Sequence, residues 1–216
     1  MLGLRTMPGP LPNWSDKMTQ NVLICGVGGQ GTVLAAKVLS QAALSKGKQV
    51  LSAETIGMAQ RGGSVTSHVR IGKNVHSPLI PAGRADIIIA FEAAEAVRNI
   101  AFLKKGGTVV VNDKIVQPTT ASVMGKSFDS QKMLDYLKAL KANVICVDAE
   151  KISAALGSAK AVNMILLGAA SRTGLVSKAE ILAALKLLVK PEFLALNQKA
   201  VEEGSRFIVD KRQKPC

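Results

Sequence analysis

The segment NVLICGVGGQGTVLAAKVLSQAALS, residues 21–45, contains the pattern that decides the fold class. Its first five residues form an apolar run that predicts a buried strand, and closely spaced glycines follow at once. Over residues 32–45 the apolar side chains recur at helical spacing, and Gly47 is a usual residue for a helix end. A strand, a glycine turn and a helix in this order predict a sheet covered by helices.

Similar patterns continue along the chain. Apolar runs predict further strands over residues 49–53, 86–91, 108–112 and 143–148. Helical spacing predicts helices over residues 92–103, 130–141, 149–156, 163–172, 177–188 and 191–209. The first of these helices is expected to stop at Gly106-Gly107. Continuous β-branched runs joined by helices are typical of a mostly parallel sheet that is buried on both faces.

Residues 64–71 follow a different pattern, in which apolar and polar side chains alternate. Val65, Val69 and Ile71 share one parity with Ser67 as the exception, and the other parity carries Ser64, Thr66, His68 and Arg70. This alternation predicts an antiparallel strand with a polar face, which in most proteins is exposed to water. The complete prediction is an α/β fold: a three-layer, Rossmann-like domain with a mostly parallel sheet, an antiparallel element near residues 64–71 and a helical C-terminal part.

The residues that precede this strand favour a functional interpretation of its start. Gln60, Arg61, Gly62, Gly63 and Ser64 combine hydrogen-bond donors with a flexible backbone and contain no side-chain acid. Such a group suits a phosphate or a carboxylate. A single histidine in the strand is weaker support, because lone histidines are more often structural than functional.

The glycine turn matches the pattern G-x-G-x-x-G through Gly26, Gly28 and Gly31. Glycines allow a tight turn, and the N-terminus of the following helix offers free N–H groups and partial positive charge to an anion. Glu54 lies 23 residues beyond Gly31, where an acid could hold the ribose hydroxyls of a dinucleotide. A long polar segment follows Glu54 instead of a crossover helix, which counts against that interpretation. A turn without any ligand remains the third alternative.

Composition limits the classes of partner. The chain has 216 residues, a net charge of +13 and only 3% aromatic residues. The basic residues are spread along the sequence and are not interleaved with aromatics, so we expect no nucleic-acid partner. Solvated helix faces explain the charge, and attraction to an acidic protein partner is the functional alternative. The apolar runs are too short to span a membrane.

The three cysteines, Cys25, Cys146 and Cys216, are far apart and form no disulfide framework or cluster motif. We therefore expect a reducing, cytoplasmic setting and no metal site. Residues 1–18 lack an apolar core typical of a secretory signal and are predicted to be a flexible N-terminal extension. A single domain is expected over residues 19–210, followed by a basic tail over residues 211–216.

Two segments, residues 22–31 and residues 57–72, together resemble the gamma-type subunit of 2-oxoacid:ferredoxin oxidoreductases. Within that family the resemblance is nearest to the small (beta) subunit of indolepyruvate:ferredoxin oxidoreductase. Residues 85–92, a following alanine-rich helix with Glu95, and residues 163–169 also resemble this family. The resemblance covers residues 19–207, and the Q-R-G-G-S segment at this distance from the glycine loop makes it specific.

The resemblance implies an enzyme complex that decarboxylates a 2-oxoacid oxidatively with thiamine diphosphate and Mg²⁺, reduces ferredoxin through iron–sulfur clusters and forms an acyl-CoA. This chain lacks the G-D-G…N-N signature of a thiamine site and the cysteine runs that hold clusters. Those cofactors are therefore expected on a large partner subunit, and a homodimer also remains open. The isolated chain is expected to be inactive and to carry no certain catalytic residue.

By the same resemblance, Gly26, Gly28, Gly29, Gln30, Gly31 and Thr32 would form an anion-binding turn. The segment from Gln60 to Ser64 would face the shared active site, with Arg61 as a fixed cation for a coenzyme A phosphate or for the 2-oxoacid carboxylate. Indolepyruvate, other aryl pyruvates, pyruvate and branched 2-oxoacids all remain open as substrates. The alternative is a free-standing NAD(P)-binding oxidoreductase that uses Glu54.

Overall fold

The computed structural model describes residues 19–56, 62–73, 75–114, 129–140 and 142–206. Its strands are β1 (Thr19–Val27), β2 (Val50–Ile56), β3 (Ser64–Gly72), β4 (Ala85–Ala90), β5 (Leu103–Asn112) and β6 (Asn143–Val147). Its helices are α1 (Thr32–Leu44), α2 (Ala93–Arg98), α3 (Ser130–Ala139), α4 (Ala149–Ala155), α5 (Val162–Ser171), α6 (Lys178–Leu188) and α7 (Pro191–Arg206). Short 3₁₀ turns cover Ile100–Phe102 and Ala159–Ala161. The predicted extension over residues 1–18 and the tail over residues 211–216 lie outside the described residues.

The six strands form one sheet in the order β2-β3-β1-β4-β5-β6. Strand β1 pairs in parallel with β4, β4 with β5, and β5 with β6. Strand β3 is antiparallel to both β1 and β2, so it alone runs against the other five strands. This confirms the predicted mostly parallel sheet with an antiparallel element near residues 64–71.

Helices cover both faces of the sheet because successive side chains of each central strand point to opposite faces. Val22 and Ile24 of β1 belong to the core that contains side chains of α1 and α4 to α7. Leu23 and Cys25 belong to a second core, which contains side chains of α2 and α3. Burial on both faces explains why the central strands are continuous apolar runs, and it confirms the three-layer prediction.

The prediction of a helix from residue 92 to residue 103 is wrong in its second half. Helix α2 ends at Arg98, and Leu103 already begins β5, so Gly106 and Gly107 lie inside a strand. Gly106 has φ +71°, and the register between β4 and β5 shifts at this point. The glycine pair therefore marks a bulge, which a sequence pattern does not distinguish easily from a helix end.

Helices α5 and α7 pack with their backbones in direct contact. A Cβ atom on Gly168 of α5 would overlap the carbonyl oxygen of Val201, and one on Gly204 of α7 would overlap the carbonyl oxygen of Ile165. This close pair fixes the N-terminal ends of both helices beside the carboxyl ends of the parallel strands.

In the parts of the chain that the structure describes, no helix combines the length and the apolar character needed to cross a membrane.

Candidate functional site

A cleft of about 940 Å³ lies at the carboxyl ends of the parallel strands. In an open α/β sheet, ligands usually bind at the carboxyl ends of the strands, where the connections that leave two neighbouring strands lead to opposite faces of the sheet. The glycine turn after β1 contributes Gly29, Gln30 and Gly31 to the lining. The turns after β4 and β5 and the first residues of α5 and α7 contribute the other walls, among them Phe91, Asn112, Lys160, Asn163 and Phe193. The volume is within the range of small-molecule sites.

The glycine turn is held closed by its own hydrogen bonds. The N–H of Gln30 donates to the carbonyl oxygen of Val27 at 3.1 Å, and the N–H of Val27 donates to Oε1 of Gln30 at 2.7 Å. A Cβ on Gly26 would lie 2.6 Å from that same Oε1, so a glycine is required where the glutamine side chain folds back. Gly29 and Gly31 have φ +102° and +84°, a conformation that favours glycine.

Helix α1 begins directly after this turn and leaves its N-terminus without a side-chain cap. Gly31 is the N-cap residue, no side chain accepts a hydrogen bond from the first turn, and that turn contains no acidic residue. Thr32, which the resemblance assigned to the anion-binding turn, is buried, with only 3% of its surface exposed. The first N–H groups and the partial positive charge of α1 are therefore located where Gly29 to Gly31 line the cleft.

The second predicted segment lies against the glycine turn. The N–H of Gly28 donates to the carbonyl oxygen of Gly63 at 2.8 Å, and the N–H of Gly62 donates to the carbonyl oxygen of Gly28 at 3.5 Å. Ser64 begins β3 there, and its hydroxyl donates to Oε2 of Glu95 at 2.6 Å. The backbone thus joins the two motifs that carried the resemblance. Gln60 and Arg61 lie outside the described residues.

The structure does not bring Glu54 to the glycine turn. Glu54 is exposed on the edge strand β2, and β3 lies between β2 and β1. In a dinucleotide-binding fold, the strand that follows the first helix lies next to the strand that precedes the glycine turn. The described residues therefore lack the arrangement that the NAD(P) alternative requires.

The expectation that the polar face of β3 is exposed to water is wrong for His68, which is 5% exposed. Residues 75–80 cover this face: Nδ1 of His68 accepts from the N–H of Ile80 at 3.2 Å, and Nη1 of Arg70 donates to the carbonyl oxygen of Ser77 at 2.8 Å. The His68 ring also meets Phe102 edge to face, with centroids 5.6 Å apart. Burial lowers the pKa of His68. Both side chains thus hold the chain segment that follows β3.

Other polar groups of the cleft lie at the ends of strands or at the starts of helices, and no role was predicted for them from the sequence. The Asn112 side chain donates to the carbonyl oxygen of Phe91 at 3.2 Å and accepts from the N–H of Ala149 at 3.1 Å. Lys114 forms an ion pair with Glu150 at 3.1 Å. A sequence signal was available for Asn112 and Asn163, because each is a polar residue at the end or start of an apolar run.

Burial shifts the pKa values of two described groups, the Cys25 thiol and the Asp113 carboxyl. Burial raises the pKa of the Cys25 thiol well above its ordinary value, and the nearby Glu95 and Glu92 carboxylates raise it further, so Cys25 remains a protonated core residue. Burial, followed by the Asp148 carboxylate, raises the pKa of Asp113. Within the described ranges, no three His, Cys, Asp or Glu side chains are grouped to hold a metal ion.

Comparison with known proteins identifies the family to which this fold and these motifs belong. The sequence profile of the pyruvate ferredoxin/flavodoxin oxidoreductase family matches residues 21–207, which include both motifs and the strands and helices around the cleft. The chain belongs to the pyruvate ferredoxin/flavodoxin oxidoreductase family. The resemblance inferred from the two motifs is thereby confirmed.

Relatives within the pyruvate ferredoxin/flavodoxin oxidoreductase family match nearly their whole length. The indolepyruvate oxidoreductase subunit IorB of Archaeoglobus fulgidus is 38% identical over 201 residues, which cover 90% of this chain and 98% of that protein. The subunit IorB of Thermococcus kodakarensis is 37% identical over 191 residues, covering 85% and 93%. The solved keto/oxoacid ferredoxin oxidoreductase gamma subunit from Geobacter sulfurreducens is 25% identical, with a TM-score of 0.64 and coverage of 86% and 95%.

Proposed function

We propose that this chain is the non-redox small subunit of a 2-oxoacid:ferredoxin oxidoreductase that acts on indolepyruvate or a related aryl pyruvate. Family membership supports the reaction class, and the names of the IorB relatives support the substrate. The observation that carries the proposal is the pair of hydrogen bonds joining Gly28 to Gly62 and Gly63. These bonds join the described part of the second motif to the glycine turn, and in this proposal the partner subunit meets the chain there.

In this proposal a large partner subunit holds thiamine diphosphate, Mg²⁺ and the iron–sulfur clusters, and ferredoxin accepts the electrons. These groups supply the decarboxylation and electron transfer, while this chain binds and orients an anionic part of coenzyme A or of the 2-oxoacid and helps to exclude water. We place these roles on one domain over residues 19–210, in the cytoplasm. Cys25 is a free thiol in the core, which fits a reducing compartment.

Arg61 is the residue proposed to act as the fixed cation of the shared site. The change Arg61→Ala in the assembled complex should raise the KM for coenzyme A or for the 2-oxoacid by about tenfold or more, because a charged hydrogen bond contributes about 1.5–3 kcal/mol. Steady-state ferredoxin reduction with each substrate varied in turn measures the effect. Arg84→Ala, an exposed arginine in the turn before β4, is the matched control and should leave both KM values unchanged. Unchanged kinetics in Arg61→Ala would remove this role.

A further inference from the structure

We infer that Glu95 is a positioning residue for the proposed reaction, because through Ser64 it holds the segment Gly62–Ser64 against the glycine turn. This inference rests on the proposed function and deepens it, since it names a side chain of α2 on which the geometry of the cleft wall depends. Glu95 and Ser64 are not among the residues that line the cleft, so both act through backbone that reaches it.

Glu95 contacts the surroundings of both motifs through different groups. Its Oε2 accepts from the Ser64 hydroxyl at 2.6 Å, at the point where β3 begins. Its backbone carbonyl oxygen accepts from the Cys25 thiol at 3.5 Å, and Cys25 immediately precedes the first glycine of the turn. One residue of α2 therefore lies against the start of β3 and against the residue that leads into the glycine turn.

The Glu95 carboxylate is held in one orientation. Its side chain is only 2% exposed, and its Oε1 accepts from the guanidinium of Arg98, three residues further along α2. Because Arg98 occupies Oε1, the other oxygen is left for Ser64. A hydrogen bond to an ionised acceptor is stronger than one between neutral groups, so Ser64 is bound more firmly than a serine bonded to a backbone carbonyl.

Backbone hydrogen bonds carry this constraint to the glycine turn. The carbonyl oxygen of Gly63, the residue before Ser64, accepts from the N–H of Gly28 at 2.8 Å. Gly28 directly precedes Gly29, which lines the cleft. Two successive glycines gain little restraint from side chains of their own, and Gly62 has φ +76°. The Glu95 side chain thus supplies the restraint that the segment Gly62–Ser64 lacks by itself.

Loosening this support should weaken substrate binding, because binding groups lose much of their effect when they are misplaced by about an ångström. In the assembled complex, Ser64→Ala removes one hydroxyl and should raise the KM for coenzyme A or for the 2-oxoacid by about threefold to tenfold, with kcat changed by less than about twofold. Ser64→Thr keeps a hydroxyl and should hold both KM values within about twofold of those of the unaltered complex.

Ser171→Ala is the matched control. Ser171 is also half-buried, and its hydroxyl donates to the carbonyl oxygen of Gly168 at 2.6 Å, at the other end of α5 from the cleft. Both serine variants lose one internal hydrogen bond, so both should lower the melting temperature by a few degrees. Only Ser64→Ala should change a KM, which separates positioning from general stability.

A double-variant cycle tests whether Glu95 acts through Ser64. Glu95→Gln keeps an acceptor of the same shape but loses the charge, so it should raise the same KM by less than Ser64→Ala does. The double variant should have the KM of Ser64→Ala alone, because both changes affect one contact. Independent multiplication of the two effects would overturn the role of Glu95.

Residue-resolved amide hydrogen exchange of the full chain supplies a readout that needs no activity. Ser64→Ala should speed the exchange of the Gly28 N–H about tenfold more than Ser171→Ala does, since it frees the acceptor on Gly63. The inference is overturned if Gly28 exchanges equally in both variants, or if Ser64→Ala leaves both KM values of an active complex unchanged. An unaltered complex that reduces no ferredoxin would instead contradict the proposed function.

Discussion

Glu95 is a buried carboxylate on which the start of β3 depends. Its side chain is 2% exposed and accepts from the Ser64 hydroxyl and from the Arg98 guanidinium. Its backbone carbonyl oxygen also accepts from the Cys25 thiol and from the Asn99 amide. The residue thus connects β1, α2 and β3 where the two family motifs meet.

Replacing this carboxylate should destabilise the protein more than replacing an exposed one. Glu95→Ala removes a buried carboxylate and leaves the half-buried Ser64 hydroxyl without its acceptor, so the free energy of unfolding should fall by about 2–3 kcal/mol in urea titrations. Glu203→Ala removes a carboxylate that pairs with Arg206 at the surface and should cost at most about 1 kcal/mol. Equal losses in the two variants would mean that the Glu95 contacts contribute little.

His68 should make stability depend on pH. Because burial lowers its folded pKa below the ordinary 6.5, the unfolded chain takes up a proton at a higher pH than the folded chain does. The contribution of neutral His68 to the free energy of unfolding is therefore fully present above pH 6.5. As the pH falls from 6.5 towards the folded pKa, this contribution is lost at up to about 1.4 kcal/mol per pH unit. Between pH 7 and pH 5, His68→Gln should show a smaller loss of stability than the unaltered chain.

The exposed His76 supplies the control for this measurement. His76→Gln should keep the pH dependence of the unaltered chain, since no buried contact of its side chain is broken. The comparison uses urea midpoints at each pH, so that contributions from carboxylates cancel between variants. If His68→Gln kept the full slope, another group would have to be responsible for it.

At the level of the elements, most of the sheet could be predicted because burial on both faces produces continuous apolar runs. Residues 85–90 and 143–147 were predicted to within one residue for this reason. The end of α2 could not be predicted, because Gly106 with its positive φ serves a bulge and a glycine at a helix end has the same sequence pattern. The burial of His68 was missed because residues 75–80 cover it through tertiary contacts that alternation does not report.

The contact between α5 and α7 predicts a specific cost for added volume. Gly168→Ala gains about 1 kcal/mol of helix propensity but places a methyl group against the backbone of Val201. Separating two packed helices should outweigh that gain, so the free energy of unfolding should fall by about 2 kcal/mol or more. Thermal and urea unfolding measure it, with the exposed Lys199→Ala on α7 as the control. A stabilised Gly168→Ala variant would contradict the close packing.

For the molecule as a whole, the glycine turn and the segment before β3 could be identified from the sequence because their residue types are unusual. The proximity of these two segments could not be predicted, because it depends on β3 lying between β1 and β2. The same strand order separates Glu54 from the glycine turn, although the spacing between Gly31 and Glu54 along the sequence suited a dinucleotide site. The contact between Asn163 and Gly31 could not be predicted either, because the approach of α5 to α1 is a tertiary contact between distant parts of the chain.

The net charge of +13 is consistent with a chain that works beside an acidic partner protein. The central claim is that this chain completes a 2-oxoacid:ferredoxin oxidoreductase without carrying its redox cofactors. The measurement is ferredoxin reduction, dependent on coenzyme A and indolepyruvate, by the large subunit alone, by this chain alone and by the two purified together. We expect a high rate only for the assembled pair. A large subunit that reaches the same rate without this chain, or a pair that does not assemble, would contradict the claim.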